Sequence, residues 1–178
     1  MSGVRRVIAG VSGSPGSLQA MRYAVGLART HDATLIPVLA WMPPGGDFAD
    51  RSHPSPYLRQ LWREAAWHRL WHALELALGS IPDEVRFDSR VLRGDAGAVL
   101  VDVASRDGDV LVLGAGRRGA LGRLLACRVS RYCLAHARCP VVAVPPSDLA
   151  RLGHGLRGWA LRHRGLSQDE AVLRVSGS

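Results

Sequence analysis

Apolar positions along this chain fall into two alternating regimes, short unbroken runs and longer stretches in which they recur every three to four residues. Val4-Arg-Arg-Val-Ile-Ala-Gly-Val11 is a run of the first kind and predicts a buried strand. Behind it, Ser14 and Pro15 supply an N-cap and a first helical residue, and Leu18, Met21, Val25 and Ala28 then recur at helical spacing. Ala33 to Trp41 predicts the second strand, with Pro37 removing one ladder donor and marking either a bulge or an unpaired position. Met42 to Pro56, rich in Pro, Gly and Asp, reads as a flexible loop. Tyr57 to Leu78 predicts a long helix with one apolar stripe of Leu58, Trp62, Ala66, Leu70, Ala73 and Ala77, stopped by Gly79-Ser-Ile-Pro82.

The second half repeats the alternation. Val85 to Leu92 mixes charged and apolar residues as an edge strand does. Asp95 caps a helix carrying Val99, Leu100, Val103 and Ala104. Asp109 to Gly114 predicts a fourth strand, Leu124 to His136 a fourth main helix, and Pro140 to Val144 a fifth strand. Strands and helices in strict alternation with short joins imply a parallel, doubly wound α/β sheet. Strands one, four and five, the most apolar, suit its middle. Ligands of such sheets bind beyond the carboxyl ends of the strands, where the winding reverses. With strands one and four adjacent there, the turns at Ser12–Ser17 and Gly114–Arg128 line one cleft.

From Asp148 onward the pattern changes. Arg151, Arg157, Arg162, Arg164 and Arg174 are interspersed with Leu152, Leu156, Trp159, Leu161 and Leu166, a basic and loosely amphipathic tail that is expected to be helical or disordered. The expected organisation is therefore one domain over residues 1–147 and a tail over 148–178.

Composition narrows the function classes. The chain has 178 residues, 47% of them hydrophobic, enough for one sizeable core. No apolar run approaches the roughly 20 residues that span a bilayer, and no signal-like stretch precedes the first strand, so a cytoplasmic location and no membrane partner are expected. The net charge of +8 is carried by arginine alone, since there is no lysine. Most of these arginines are dispersed and no recognition motif accompanies them, which argues against nucleic acid, although polyanion binding by the tail is an alternative. Cys127, Cys133 and Cys139 match neither a disulfide framework nor a zinc pattern and read as reduced thiols. Cys127 sits near a helix start among arginines, where a thiol pKa is lowered, so a redox role is an alternative to an ordinary small residue.

The segment Val110-Leu-Val-Leu-Gly-Ala-Gly-Arg-Arg-Gly119 carries the clearest chemistry. A strand, a glycine turn and a helix start aim backbone N–H groups at one point, and the natural ligand there is an anion. Its formal match to a dinucleotide fingerprint follows the fourth strand, not the first, and lacks the acidic residue expected about twenty positions on. His68 and His72 lie one helical turn apart without the glutamate of a zinc hydrolase between them, so they read as a solvated face and no metal site is assigned. Trp62, Trp67 and Trp71 are assigned to core or dimer packing. No serine has a histidine and acid partnership, and no catalytic residue is assigned.

Four ordered landmarks resemble the universal stress protein family: Ala9-Gly-Val-Ser-Gly-Ser-Pro15, Arg93-Gly-Asp-Ala96, Asp109-Val-Leu-Val-Leu-Gly114 and Arg138-Cys-Pro-Val-Val-Ala-Val144. The likeness covers about residues 3–146. It implies a five-stranded parallel sheet, of order 3-2-1-4-5 with helices on both faces, and a homodimer formed through the last strand at Val141, Val142 and Val144. Nucleotide-binding members of that family carry Gly, two residues, Gly, nine residues, then Gly-Ser or Gly-Thr. Aligned without insertion on Gly114, the second glycine is Arg117 here and the closing pair is Cys127-Arg128; the aspartate ending the first strand is Ser12. A side chain in place of glycine blocks the approach of backbone to phosphate, while Arg128 would either fill the pocket or meet a phosphate bidentately.

The resemblance thus implies a non-catalytic stress-response protein, at most a weak ATPase, that acts through a protein partner or a small phosphorylated ligand. No cofactor is required, and ATP is the candidate nucleotide, with its usual binding mode impaired. The candidate contacts are Ser12, Gly13, Ala40, Gly114, Arg117, Arg118, Cys127, Arg128, Val129 and Ser130. A nucleotide switch with an arginine-lined cleft is the alternative.

Overall fold

The computed structural model describes residues 3–115 and 122–145, with the side chains at 49 and 122–127 excepted. Arg117, Arg118, the side chain of Cys127 and the tail 148–178 lie outside this description. Five strands, β1 (Arg6–Gly10), β2 (Thr34–Trp41), β3 (Arg90–Arg93), β4 (Asp109–Gly114) and β5 (Val141–Val144), form one parallel sheet of order β3-β2-β1-β4-β5. The helices are α1 (Pro15–His31), α2 (Gly46–Ser52), α3 (Pro56–Leu78), α4 (Ala96–Val103) and α5 (Gly122–His136).

Side chains alternate through the central strands, and this divides the core in two. Val7 and Ala9 of β1, Leu35 and Leu39 of β2, and Val110 and Val112 of β4 pack with α1 and α3. Ile8, Ile36, Val38, Leu111 and Leu113 point the other way, onto Leu100 and Val103 of α4 and Cys133 of α5. Both faces are covered, which is why these strands read as continuous apolar runs.

The predicted caps hold. Ser14 accepts the N–H of Ser17 at the start of α1, and Asp95 accepts that of Gly97 at the start of α4. At the end of the sheet where the strands begin, Arg6 donates from Nε to Asp109 at 2.7 Å, and the N–H of Arg106 donates to the same carboxylate at 2.8 Å. The Asp109 side chain is wholly buried, and its hydrogen bond to Arg6 pushes the guanidinium pKa up.

Several expectations are corrected. The observed order is the 3-2-1-4-5 that the family resemblance implies; apolarity alone, which suited strand five to the middle with one and four, is corrected, since β5 is an edge strand and β2 takes the interior position. Apolarity reports burial and does not name a strand's neighbours. The third strand is shorter than Val85–Leu92, four residues with a single earlier bridge between Leu35 and Phe87. Pro37 makes no bulge, because the β1–β2 register runs unbroken from Thr34 to Val38. Leu35 hydrogen-bonds towards the β3 side, and Pro37, two residues on, faces that side in the gap between the Phe87 bridge and Arg90.

The expected loop 42–56 contains the helix α2. Its polar composition is used in ion pairs. Asp50 meets Arg59 at 2.8 Å and Arg93 at 2.9 Å, and Asp47 meets Arg93. The hydrogen bond from Arg59, with help from Arg93 and against the effect of burial, holds the Asp50 carboxyl below its ordinary range. In α3 the buried stripe is Ala66, Leu70, Ala73, Leu74 and Ala77, while Leu58 is exposed and Trp62 half-buried. Trp62 and Trp67 pack against the core, and Trp71, half-exposed, stacks on Trp67 with ring centroids 6.5 Å apart.

Candidate functional site

The β1–β4 boundary is where the chain order reverses, and a cavity of about 800 Å³ opens there at the carboxyl ends of β1, β2 and β4. This is the position at which doubly wound sheets bind ligands, and the volume is that of a small-molecule site. One wall is the turn from β1 into α1. Gly13 takes a φ of +72°, which turns the chain back so that Ser14 can cap the helix. The serines then bond one another: Ser17 Oγ donates to the Ser14 carbonyl at 3.0 Å, the Ser12 N–H donates to Ser17 Oγ at 3.3 Å, and the Ser12 and Ser14 hydroxyls lie 3.0 Å apart. Ser12 therefore holds a neutral hydroxyl engaged within its own turn.

Gly114 adjoins this turn in the lining, for a reason the sequence did not reveal. A Cβ at this position would lie 2.6 Å from the Gly16 carbonyl carbon, 2.7 Å from its oxygen and 2.9 Å from the Ser17 nitrogen. The first turn of α1 rests directly on the end of β4, and only glycine allows it. Beside it, the Ser130 hydroxyl of α5 donates to the Gly114 carbonyl at 3.2 Å, tying the helix to the strand end.

Of the predicted contacts, Ser12, Gly13, Ala40, Gly114, Val129 and Ser130 come together around this cavity. Arg128 does not. It stands exposed on α5 and is not among the described residues that line the cavity. An α-helix turns about 100° per residue, and with Val129 and Ser130 facing the cavity Arg128 is carried away from it. Arg117, Arg118 and the Cys127 thiol lie outside the described residues.

The sequence reading missed α3. Arg69, His72, Ala73 and Leu76 line the cavity, together with Ala96 and Leu100 of α4. Their spacing is i, i+3, i+4, i+7, the signature of one helical face. This face lies beside the core stripe, and only Ala73 belongs to both. It also accounts for Leu76, a half-exposed leucine that the core stripe leaves out. The cleft thus has an arginine, but it comes from α3.

A second, shallower depression of about 350 Å³ lies by Trp41, Arg59, Arg63 and Arg93. Two of its arginines are already committed to Asp50 and Asp47. The remaining thiols are structural: Cys133 is fully buried and burial pushes its pKa up to about 11, and burial likewise raises the partly buried Cys139. Among the described residues no group of three or more metal-ligating side chains occurs, and no helix is long and apolar enough to cross a membrane.

Val144 of β5 is buried in its own chain's core, while Val141 and Val142 are half-buried and Ala143 exposed. Among the described residues β5 pairs only with β4, so its outer backbone edge is what it offers to a neighbour.

A doubly wound parallel sheet of order 3-2-1-4-5 with a cavity at its switch point is a class of fold shared by many proteins. Within that class the sequence matches the universal stress protein family over residues 3–145, and the chain belongs to that family. Among solved structures it is similar to a universal stress protein in complex with cAMP, at 25% identity and a TM-score of 0.51, covering 82% of this chain and 100% of that one. It is also similar to universal stress protein UspA from Lactobacillus plantarum (19% identity, TM-score 0.57, 81% and 99% covered). A universal stress protein from Archaeoglobus fulgidus is comparable (19% identity, TM-score 0.56, 79% and 98% covered). At 19% identity the likeness is one of fold. No curated protein matches the sequence.

Proposed function

We propose that this chain is a non-catalytic stress protein that responds to a nucleotide or related phosphorylated small molecule held in the switch-point cavity, and that it works as a homodimer in the cytoplasm. The observation that carries the reading is the cavity of about 800 Å³ at the switch point, lined by the Ser12–Ser17 turn, Gly114 and Ser130. A relative at 25% identity was solved in complex with cAMP, which supports a nucleotide as the ligand class.

The triphosphate mode of nucleotide-binding members is impaired in this reading. Arg117 and Cys127-Arg128 stand where those members carry Gly and Gly-Ser, and Ser12 stands where they carry aspartate. A bulky residue where backbone must reach a phosphate removes that approach. The dimer reading is supported by β5 lying at the sheet edge with its outer backbone groups unpaired within the described chain.

A thermal-shift screen against adenine and guanine nucleotides tests this, with the wild type beside a variant carrying Arg117→Gly and Arg128→Ser. The wild type is expected to be stabilised by small nucleotides, and the variant to gain stabilisation by ATP. If no nucleotide shifts either protein, the ligand reading is wrong.

A further inference from the structure

Resting on the reading of the cavity as a nucleotide site, we infer that Arg69 of α3 anchors the ligand's anionic group and that the ligand is a nucleoside monophosphate bound without a divalent cation. Among the described residues that line the cavity, Arg69 is the one side chain with a permanent charge, and no carboxylate lines it. Arg69 is exposed and has no acidic partner among the described residues, so its guanidinium is free to meet an anion. Guanidinium groups match phosphate oxygens bidentately. His72, one turn further along the same face, adds a ring that can donate to a second oxygen.

Apart from the serines of the β1–α1 turn and Ser130, the wall is largely apolar, chiefly Val11, Val38, Leu39 and Leu100, and that part suits a base. The described wall supplies one fixed positive charge, which offsets about half or more of the one to two negative charges of a phosphate monoester and a much smaller share of those on a triphosphate.

The missing carboxylates decide the metal question. Magnesium in phosphate sites is held by one or two protein carboxylates together with the substrate phosphates. Two acidic residues that neighbour the lining in sequence are otherwise placed: Asp95 caps α4 through the Gly97 N–H, and Glu75 lies at the surface beside His72. The loop between β4 and β5 adds none, because the sequence from Val110 to Ser147 contains neither Asp nor Glu. A magnesium–triphosphate complex therefore finds no carboxylate ligand for its metal on the described wall.

Calorimetric titration of the full chain with AMP, adenosine and ATP, each with magnesium or with EDTA, tests the inference on wild type, Arg69→Met and Arg69→Lys. Wild type should bind AMP about ten-fold or more tightly than adenosine, the margin of a charge-assisted contact, and EDTA should change nothing. Arg69→Met should erase that margin while leaving adenosine affinity and melting temperature as they were, and Arg69→Lys should keep part of it. An undiminished margin in Arg69→Met would overturn the anchor. AMP binding lost in EDTA, or ATP binding tightened ten-fold by magnesium, would overturn the metal-free assignment. Absence of binding by both AMP and adenosine would reject the nucleotide reading itself, and the inference with it.

Discussion

Substitution of Gly114 by alanine isolates the contact that shapes the cavity. The added methyl would sit 2.6 to 2.9 Å from three backbone atoms of Gly16 and Ser17, closer than such contacts allow. None of the three is the end of a flexible side chain, so relief requires moving the first turn of α1 off β4. Overpacking of this kind costs about 1–3 kcal/mol. The conformational term opposes it only weakly: Gly114 does not have a positive φ, so alanine gains about 0.4–1 kcal/mol from the unfolded state. At mid-range, about 2 kcal/mol against about 0.7, the net expectation is a loss of about 1.3 kcal/mol, or roughly 3–5 °C in melting temperature for a domain of this size.

Gly26→Ala is the control, since that glycine lies exposed in the middle of α1 with nothing within 4 Å of an added Cβ. It should stabilise by about 0.5–1 kcal/mol. Calorimetric melting of the three proteins decides. A Gly114→Ala melting temperature equal to or above the wild-type value would refute the close approach of α1 to β4.

Four further outcomes follow from the same geometry. Asp109→Ala strands the Arg6 guanidinium and should cost about 3–5 kcal/mol in urea denaturation, whereas Arg6→Met with Asp109→Leu should recover most of it; equal losses in both proteins would contradict the buried pair. Cys133 has its pKa raised by burial to about 11, so its contribution is complete below pH 9, where the unfolded thiol is also protonated, and is lost as pH rises towards 11. Wild type should therefore lose up to about 2–3 kcal/mol more than Cys133→Ala across that window, and parallel pH profiles would refute this. Light scattering at micromolar concentration should give twice the chain mass if β5 mediates a dimer, and a single chain mass would end that proposal. Asp50, held low by Arg59 and Arg93, contributes above the ordinary carboxylate range and is lost in acid, so Asp50→Asn should flatten the acid limb of the stability curve.

Where local chemistry decides structure, the sequence was readable. Ser14 with Pro15, and Asp95, announce their helices because a cap is a contact between residues two or three apart. The switch-point cleft was legible too, since it follows from strand alternation and places Ser12, Gly13, Gly114 and Ser130 together. Longer-range pairings were not. The helix α2 pairs its Asp47 and Asp50 with Arg93, over forty residues away, and the Pro- and Gly-rich segment 42–56 around it reads as a loop. The edge position of β5 depends on which strand pairs with β4, which an apolar run does not encode. Arg69 escaped notice because α3 was read through one stripe, and a second face beside it lines the cavity. Gly114 was read as a glycine for phosphate, although a sufficient reason for it is the backbone of Gly16.

The central claim is that the switch-point cavity holds a small phosphorylated ligand. Backbone amide shifts of the isotopically labelled full chain, followed during titration with AMP, test it most directly. The account predicts saturable shifts clustered at Ser12, Gly13, Ala40, Arg69, Gly114 and Ser130, with the Arg6–Asp109 end of the sheet unmoved. Shifts confined to other surfaces, or none at saturating AMP, would contradict it.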